Sequence, residues 1–242
     1  KLESLPHVPK FGASFVMGDG TEPTNFWFSP GPRGEDARTI NVARAPFDRM
    51  LLDAARDSGS HVLEQTSVLG IDALTDGRVE VSTTAGPLRG RMLIDASGQS
   101  AVIGRHLNVR RVLPDLRRVA YYSHFTGVQR RPDRLGGSPI IVMCTEGWFW
   151  VIPLDESRTS VGLVVAADVI KSANIPADRA LAWGISRSPF LQSIMAHAVG
   201  PDRNHVTADF SYRCEPFAGP GYFLVGDAAT FVDPIFSTGV CM

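Results

Sequence analysis

The sequence predicts an α/β fold in which a mostly antiparallel sheet is interleaved with an α/β unit, and three observations carry that expectation. First, Phe47, Met50, Leu51, Ala54 and Ala55 recur at helical spacing, and Gly59 follows as a stop. Second, strands dominate from Val119 onward, at Val119 to Val128, Pro139 to Thr145, Trp148 to Pro153 and Thr159 to Ala167. Third, the chain returns to strands at His205 to Tyr212 and Tyr222 to Val225. An α/β part interrupted by antiparallel strands points to interleaved rather than tandem domains.

In order along the chain, Val8 to Phe28 reads as extended structure, closed by the turn-rich stretch Ser29 to Gly34. After the helix, His61 to Leu74, Val79 to Thr83 and Leu88 to Ile94 read as three strands, with Asp76-Gly77 as a turn. A short helix is expected after Asp95-Ala96-Ser97-Gly98, and one long helical stretch from Pro176 to Ala198. Gly219-Pro220-Gly221 precedes a strand and reads as a turn.

Composition narrows the class of protein. Charged residues make up 20% of the chain and the formal charge is −1, which gives no global attraction to nucleic acid or acidic membranes. The longest apolar candidate for a span, Ile140 to Leu154, is interrupted by Glu146. Cys144, Cys214 and Cys241 form no framework, which suits free thiols in a reducing, cytoplasmic setting. The sequence opens at Lys1 and closes on an apolar run at Met242, so it is expected to be an excerpt of a longer chain. No G-x-S-x-G elbow or H-E-x-x-H occurs, the histidines are scattered, and no metal site is expected. No G-x-G-x-x-G follows a strand and opens a helix, so a dinucleotide-phosphate loop would lie upstream of Lys1.

The most informative stretch is Tyr222 to Ala229, where an apolar strand delivers Gly226-Asp227 and small residues are expected to start a helix. Gly226 allows close approach of a ligand, and Asp227 could accept a hydrogen bond from a sugar-alcohol hydroxyl; the plainer reading is an N-capped helix. On a strand, Trp148, Trp150 and Ile152 share one face because the side-chain period is two, either as a bulky wall or as core filling.

Arg44-Ala45-Pro46-Phe47-Asp48, Leu93 to Gly98 and Tyr222 to Ala229 together resemble, in order and spacing, the flavin-contact motifs of FAD-dependent aromatic hydroxylases, geranylgeranyl-reductase-like enzymes and flavin halogenases. Trp148 to Pro153 is similar to the W-x-W-x-I-P signature of the halogenases, and Phe231 to Gly239 to their F-x-x-P-x-x-S-x-G pattern. Pro9-Lys10-Phe11-Gly12-Ala13-Ser14-Phe15 resembles the segment whose lysine handles oxidised halogen, and Lys10 is one of only three lysines in the chain.

The resemblance implies an FAD-binding Rossmann-like domain of the GR2 type. Residues 40–114 and 219–242 would belong to it, and 1–39 and 115–218 to the substrate domain. An N-terminal nucleotide-binding unit and C-terminal helices would lie outside this chain. Arg44, Asp95, Gly98, Gly226, Asp227 and Pro234 would contact the cofactor, and Trp148, Trp150, Ile152 and Pro153 would wall the flavin. The backbone of Thr238 and Gly239 would hold the halide, with Phe231, Phe236 and Ser237 in the substrate pocket. The co-reactants implied are reduced FAD (FADH2), O2 and chloride or bromide, with a separate flavin reductase as partner. Lys10 would relay the halogen to an aromatic carbon.

Tryptophan halogenases carry a glutamate just before Ser-Thr-Gly, where this chain has Phe236, and the F-S-T-G form is more like phenol or pyrrole halogenases. The eight arginines between Arg105 and Arg134, against Asp115 and Asp133, suggest a dock for an acidic acyl or peptidyl carrier protein bearing the ring. The rival readings are a flavin hydroxylase or reductase sharing the cofactor motifs, and a flavin-free interaction module working through that arginine segment.

Overall fold

A computed structural model of the protein describes residues 2–21, 23–30, 37–200, 204–208 and 211–236. The chain divides into two compact units, residues 1–60 with 119–208, and 61–118 with 209–242. Both are discontinuous in sequence, the interleaving that the order of elements predicts.

The extended start forms β1 (His7–Lys10), β2 (Gly12–Met17) and β3 (Thr24–Trp27), followed by β4 (Thr39–Val42) and α1 (Arg44–Asp57). β4 pairs with β1 from His7↔Val42 to Lys10↔Thr39, so the first unit runs on to Ser60 rather than ending before Ile40. α1 ends at a left-handed Gly59 (φ +93°), as its sequence suggests.

Next come β5 (Val68–Thr75), β6 (Arg78–Thr83), β7 (Gly86–Gly90), β8 (Leu93–Asp95), α2 (Val102–His106) and β9 (Arg110–Val112). β5 starts later than expected: Gln65 adopts φ +54°, which breaks the extended run after His61. The expected strand Leu88 to Ile94 is two strands serving different sheets, because β7 pairs with β6 while β8 turns to a partner near the end of the chain.

The antiparallel block is β10 (Arg118–Thr126), β11 (Ile140–Met143), β12 (Gly147–Pro153) and β13 (Arg158–Ala166), then α3 (Ala167–Ser172), α4 (Ala180–Ile185), α5 (Pro189–Ile194) and β14 (His205–Ala208). The single helix expected over Pro176 to Ala198 is broken at Ser188-Pro189. Pro189 has no N–H to continue α4, and Ser188 caps α5 by accepting the Leu191 N–H at 3.2 Å. These strands join β2 and β3 in a seven-stranded sheet of order β14-β10-β13-β12-β11-β2-β3, in which β11 and β2 pair in parallel and β14-β10, β13-β12, β12-β11 and β2-β3 are antiparallel.

One face of this sheet is the core of the first unit. Val142, Phe149, Val151, Val161 and Leu163 pack with Ile170, Leu181 and Leu191 from the three helices, all at 6% exposure or less. Each such side chain contributes about 1.5–3 kcal/mol on burial.

The chain closes with β15 (Tyr212–Cys214), β16 (Ala218–Gly219), β17 (Tyr222–Leu224) and β18 (Thr230–Phe231). β15 pairs with β9 and β18, which draws the second unit's boundary back to Asp209, well before Gly219. Pro220-Gly221 turns β16 into β17, with Gly221 at φ +78°. A smaller core of Ala101, Ile103, Tyr212, Cys214, Tyr222, Leu224 and Ala229 holds this unit together. Among the described residues, no helix is long and apolar enough to cross a membrane.

Candidate active site

In the second unit, β8 and β17 run parallel, with Leu224 opposite Asp95, and the Val225 N–H donates to the Asp95 carbonyl at 3.0 Å. Their carboxyl ends therefore deliver two turns side by side, the usual place for a ligand in an α/β sheet. Gly98 and Gly226 sit in these turns at φ +61° and +55°, and a Cβ added to either meets nothing within 4 Å. Each turn thus presents bare backbone to open space. Asp227 lies half-buried beside Gly226, where its carboxylate can accept a hydroxyl. This is a cradle that suits a flavin and its polyol chain: close backbone approach at two points and one acidic acceptor.

Asp95 is 5% exposed, and its two oxygens accept the Ser97 N–H at 2.9 Å and the Ile103 N–H at 2.7 Å. It braces the first turn and the start of α2 rather than projecting to a ligand. The helix expected after Gly226-Asp227 is absent. A single 3-10 turn, Gly226–Ala228, gives way at once to β18, because Tyr212 pairs with Phe231 and the Thr230 hydroxyl donates to the Tyr212 carbonyl at 2.9 Å. No helix N-terminus is available there to hold an anion.

Phe231 is half-buried against the small core, and Pro234 opens a 3-10 turn, Pro234–Phe236, preceded by the Asp233 carboxylate accepting the Ile235 N–H at 3.1 Å. Ser237, Thr238 and Gly239 lie outside the described residues.

In the first unit, Trp148, Trp150 and Ile152 share a face of β12, while Phe149 and Val151 enter the core on the other. Pro153 ends the strand, opposite Thr159. Trp150 lies across Gly162 of β13, where an added Cβ would stand 2.5 Å from Cε2 and closer still to Cζ2 and Cη2; its indole N–H donates to Ser160 Oγ at 3.0 Å. The wall is wider than the motif. Ring centroids step from Trp148 to Trp150 at 6.0 Å, from Trp150 to Tyr122 at 5.7 Å, and from Tyr122 to His205 at 5.1 Å. Gly162, Tyr122 and His205 escape sequence reading because only strand register brings them to this face.

Lys10 ends β1. Its backbone is fixed opposite Thr39, and the preceding Pro9 carbonyl lies against Gly137, where any Cβ would overlap it. Asn41 Nδ2 donates to the Gly137 carbonyl at 2.8 Å, and Ser138 Oγ accepts the Phe11 N–H at 3.2 Å. The Lys10 side chain is half-buried, and burial pulls its pKa below the ordinary lysine value. It is not a plain surface charge.

Arg44 stands at the start of α1, its side chain 81% exposed, and grips Asp48 with two bonds of 2.9 Å. Three of the arginines read as a dock, Arg130, Arg131 and Arg134, have structural work. Arg105 to Arg118 belong to one unit and Arg130 to Arg134 to the other. Arg130 donates to the carbonyls of Asp155 and Arg158 at 2.6 and 3.0 Å, and Arg131 clasps Asp133. Arg134 lies 4.3 Å from the Phe11 ring centroid.

A model of the tryptophan halogenase family matches residues 38–242, most of the chain. The chain belongs to this family of FAD-dependent halogenases. Among halogenases it is 31% identical over 214 residues to a 1H-pyrrole-2-carbonyl-[peptidyl-carrier protein] chlorinase of Pseudomonas fluorescens, covering 84% of this chain and 47% of that protein. It is 32% identical to the corresponding brominase of Pseudoalteromonas luteoviolacea, covering 84% and 52%. Among solved structures, the halogenase CmlS superposes with a TM-score of 0.88 at 32% identity, covering 97% of this chain and 44% of that one. The myxobacterial chondrochloren halogenase CndH gives 0.88 at 31%, covering 99% and 57%. The chain thus spans about half the length of the halogenases it matches. These likenesses agree with the mixed α/β class expected from the sequence.

Proposed function

We propose that the protein halogenates an electron-rich aromatic ring, a phenol or a pyrrole, using reduced FAD, O2 and chloride or bromide, with the flavin reduced by a separate reductase. The observation that carries this reading is Lys10: a half-buried amine at the end of a paired strand, with its pKa lowered by burial, in a chain of this family. When bound, reduced FAD with O2 supplies the oxidising power that turns halide into hypohalous acid. The neutral amine of Lys10 can attack that halogen, forming an N–halogen bond and releasing water; in its protonated form it can hydrogen-bond the acid and activate it. The aromatic carbon then takes the halogen, loses a proton and returns the amine. Lowering the pKa raises the share of neutral amine at neutral pH and so favours the first course.

In this reading Gly98, Gly226, Asp227 and Pro234 contact the flavin, with Asp95 keeping the first turn in shape. Trp148, Trp150 and Ile152 wall off direct oxygen transfer, and the backbone at Thr238 and Gly239 holds the halide. Phe231, Phe236 and Ser237 line the ring's pocket. Phe236, where tryptophan-type enzymes carry a glutamate, favours a ring that is already activated. The carrier-bound pyrrole in the names of two relatives supports including carrier-bound substrates.

The test is the full-length protein with a flavin reductase, halide, and free and carrier-bound phenols and pyrroles, read by mass spectrometry. Halide-dependent addition of chlorine or bromine is expected. Oxygenated products, or a turnover indifferent to halide, would overturn the reading in favour of a hydroxylase.

A further inference from the structure

The turns Asp95–Gly98 and Gly226–Ala229 lie beside a side chain that none of the motifs marks. Tyr212, in β15, is fully buried. Its hydroxyl donates to the main-chain carbonyl of Asp227 and lies 3.4 Å from the carbonyl of Gly98. One phenol therefore touches the glycine of the first turn and the aspartate of the second.

Tyr212 itself is held on both sides, opposite Phe231 of β18 and Val112 of β9. The Arg110 guanidinium lies over its ring, 3.9 Å from the centroid, and the buried Arg110 Nε has no hydrogen-bond partner among the described residues. Burial pushes the phenol's pKa up, so its hydroxyl stays a donor through the neutral range.

We propose that Tyr212 is a positioning residue that ties the two turns to each other, so that flavin meets them as one preformed surface. The inference rests on the flavin reading above. Each turn carries a left-handed glycine with open space before it, and the second is only a single 3-10 turn. Glycine turns of this kind are costly to order. A buried donor shared between their carbonyls meets that cost before the ligand arrives, which is preorganisation.

The test is Tyr212→Phe in the full-length protein, which keeps the ring and removes the hydroxyl. The FAD dissociation constant should rise about three- to tenfold, the scale of one net hydrogen bond. In the apoprotein, amide exchange should quicken together at residues 97–101 and 226–229, while β9 and β18 keep their protection. An unchanged dissociation constant overturns the proposal. So does exchange that rises evenly through β9, β15 and β18, the mark of a general packing role. Should the variant fail to fold, the wild type decides: FAD should protect both turns with one titration midpoint, and protection of one turn alone overturns the tie. Wild-type protein that binds no FAD sinks the flavin reading, while the apoprotein exchange comparison still judges the role of Tyr212.

Discussion

Replacing Gly162 with alanine tests the geometry of the aromatic wall with a single methyl group. The new Cβ would stand 2.5 Å from Trp150 Cε2, with two further ring atoms nearer, whereas ordinary contact begins at 3.4 Å. The indole must therefore lift by about 1 Å or more. It cannot lift freely, because Trp148 flanks it at 6.0 Å, Tyr122 at 5.7 Å, and its N–H is tied to Ser160 at 3.0 Å. Overpacking of this kind costs about 1–3 kcal/mol, and loss of the indole hydrogen bond about 0.5–1.5 kcal/mol. A combined loss of about 1.5–4.5 kcal/mol lowers the melting temperature of a chain this size by about 3–18 °C. Thermal unfolding followed by tryptophan fluorescence, with a near-ultraviolet circular dichroism spectrum at 20 °C or so, reads both effects. A melting temperature within about 1 °C of the parent, with an unchanged aromatic spectrum, refutes the placement of Trp150 on Gly162.

Lys10→Ala is expected to abolish halogenation while oxygen uptake by the reduced flavin continues; equal chlorination by variant and parent ends the relay role. The lowered pKa of Lys10 has its own check. The unfolded chain holds its proton to higher pH than the folded one, so stability rises with pH between the folded and unfolded values. Chemical acylation read by mass spectrometry should give a midpoint below the ordinary lysine value, and a midpoint at or above it contradicts the burial. Asp155 acts in the opposite sense. Burial opposes its charge, but N–H bonds from Arg158 and Ser157 and the Arg158 guanidinium prevail and hold its pKa at about 2. Its contribution is present above about pH 4 and is lost as pH falls toward 2. Asp155→Asn should flatten acid unfolding in that window, and an unchanged profile shows the carboxylate to be idle.

Sequence patterns of short range were legible and contacts of long range were not. The alternation Trp148, Trp150, Ile152 fixes a face through the period of a strand alone, and Gly98 and Gly226 announce their turns because little else tolerates those angles. Ser188-Pro189 is a readable stop within the helical pattern of Pro176 to Ala198. The Gly226-Asp227-Ala228-Ala229 run misleads for a different reason: alanines favour a helix locally, but β15 recruits Thr230 and Phe231 into a strand. Charge spacing likewise says nothing of the carbonyls that Arg130 reaches, 25 and 28 residues away. Tyr212 was invisible for the same reason, since its partners Gly98 and Asp227 lie 114 and 15 residues from it.

The parallel pairing of β8 with β17 also sets a timetable. Leu93 must wait for Tyr222, and β9 for β15, so two of the second unit's three described sheets cannot close until the strands of the first unit have been synthesised, whereas β5, β6 and β7 can pair earlier. The first unit has all its strands by Ala208 and can fold as the chain emerges, in the N-to-C order of synthesis. Meanwhile β8 and Asp95 stand as an unpaired strand end. Within residues 1–242 the open glycine cradle therefore takes shape only after the strands of the first unit.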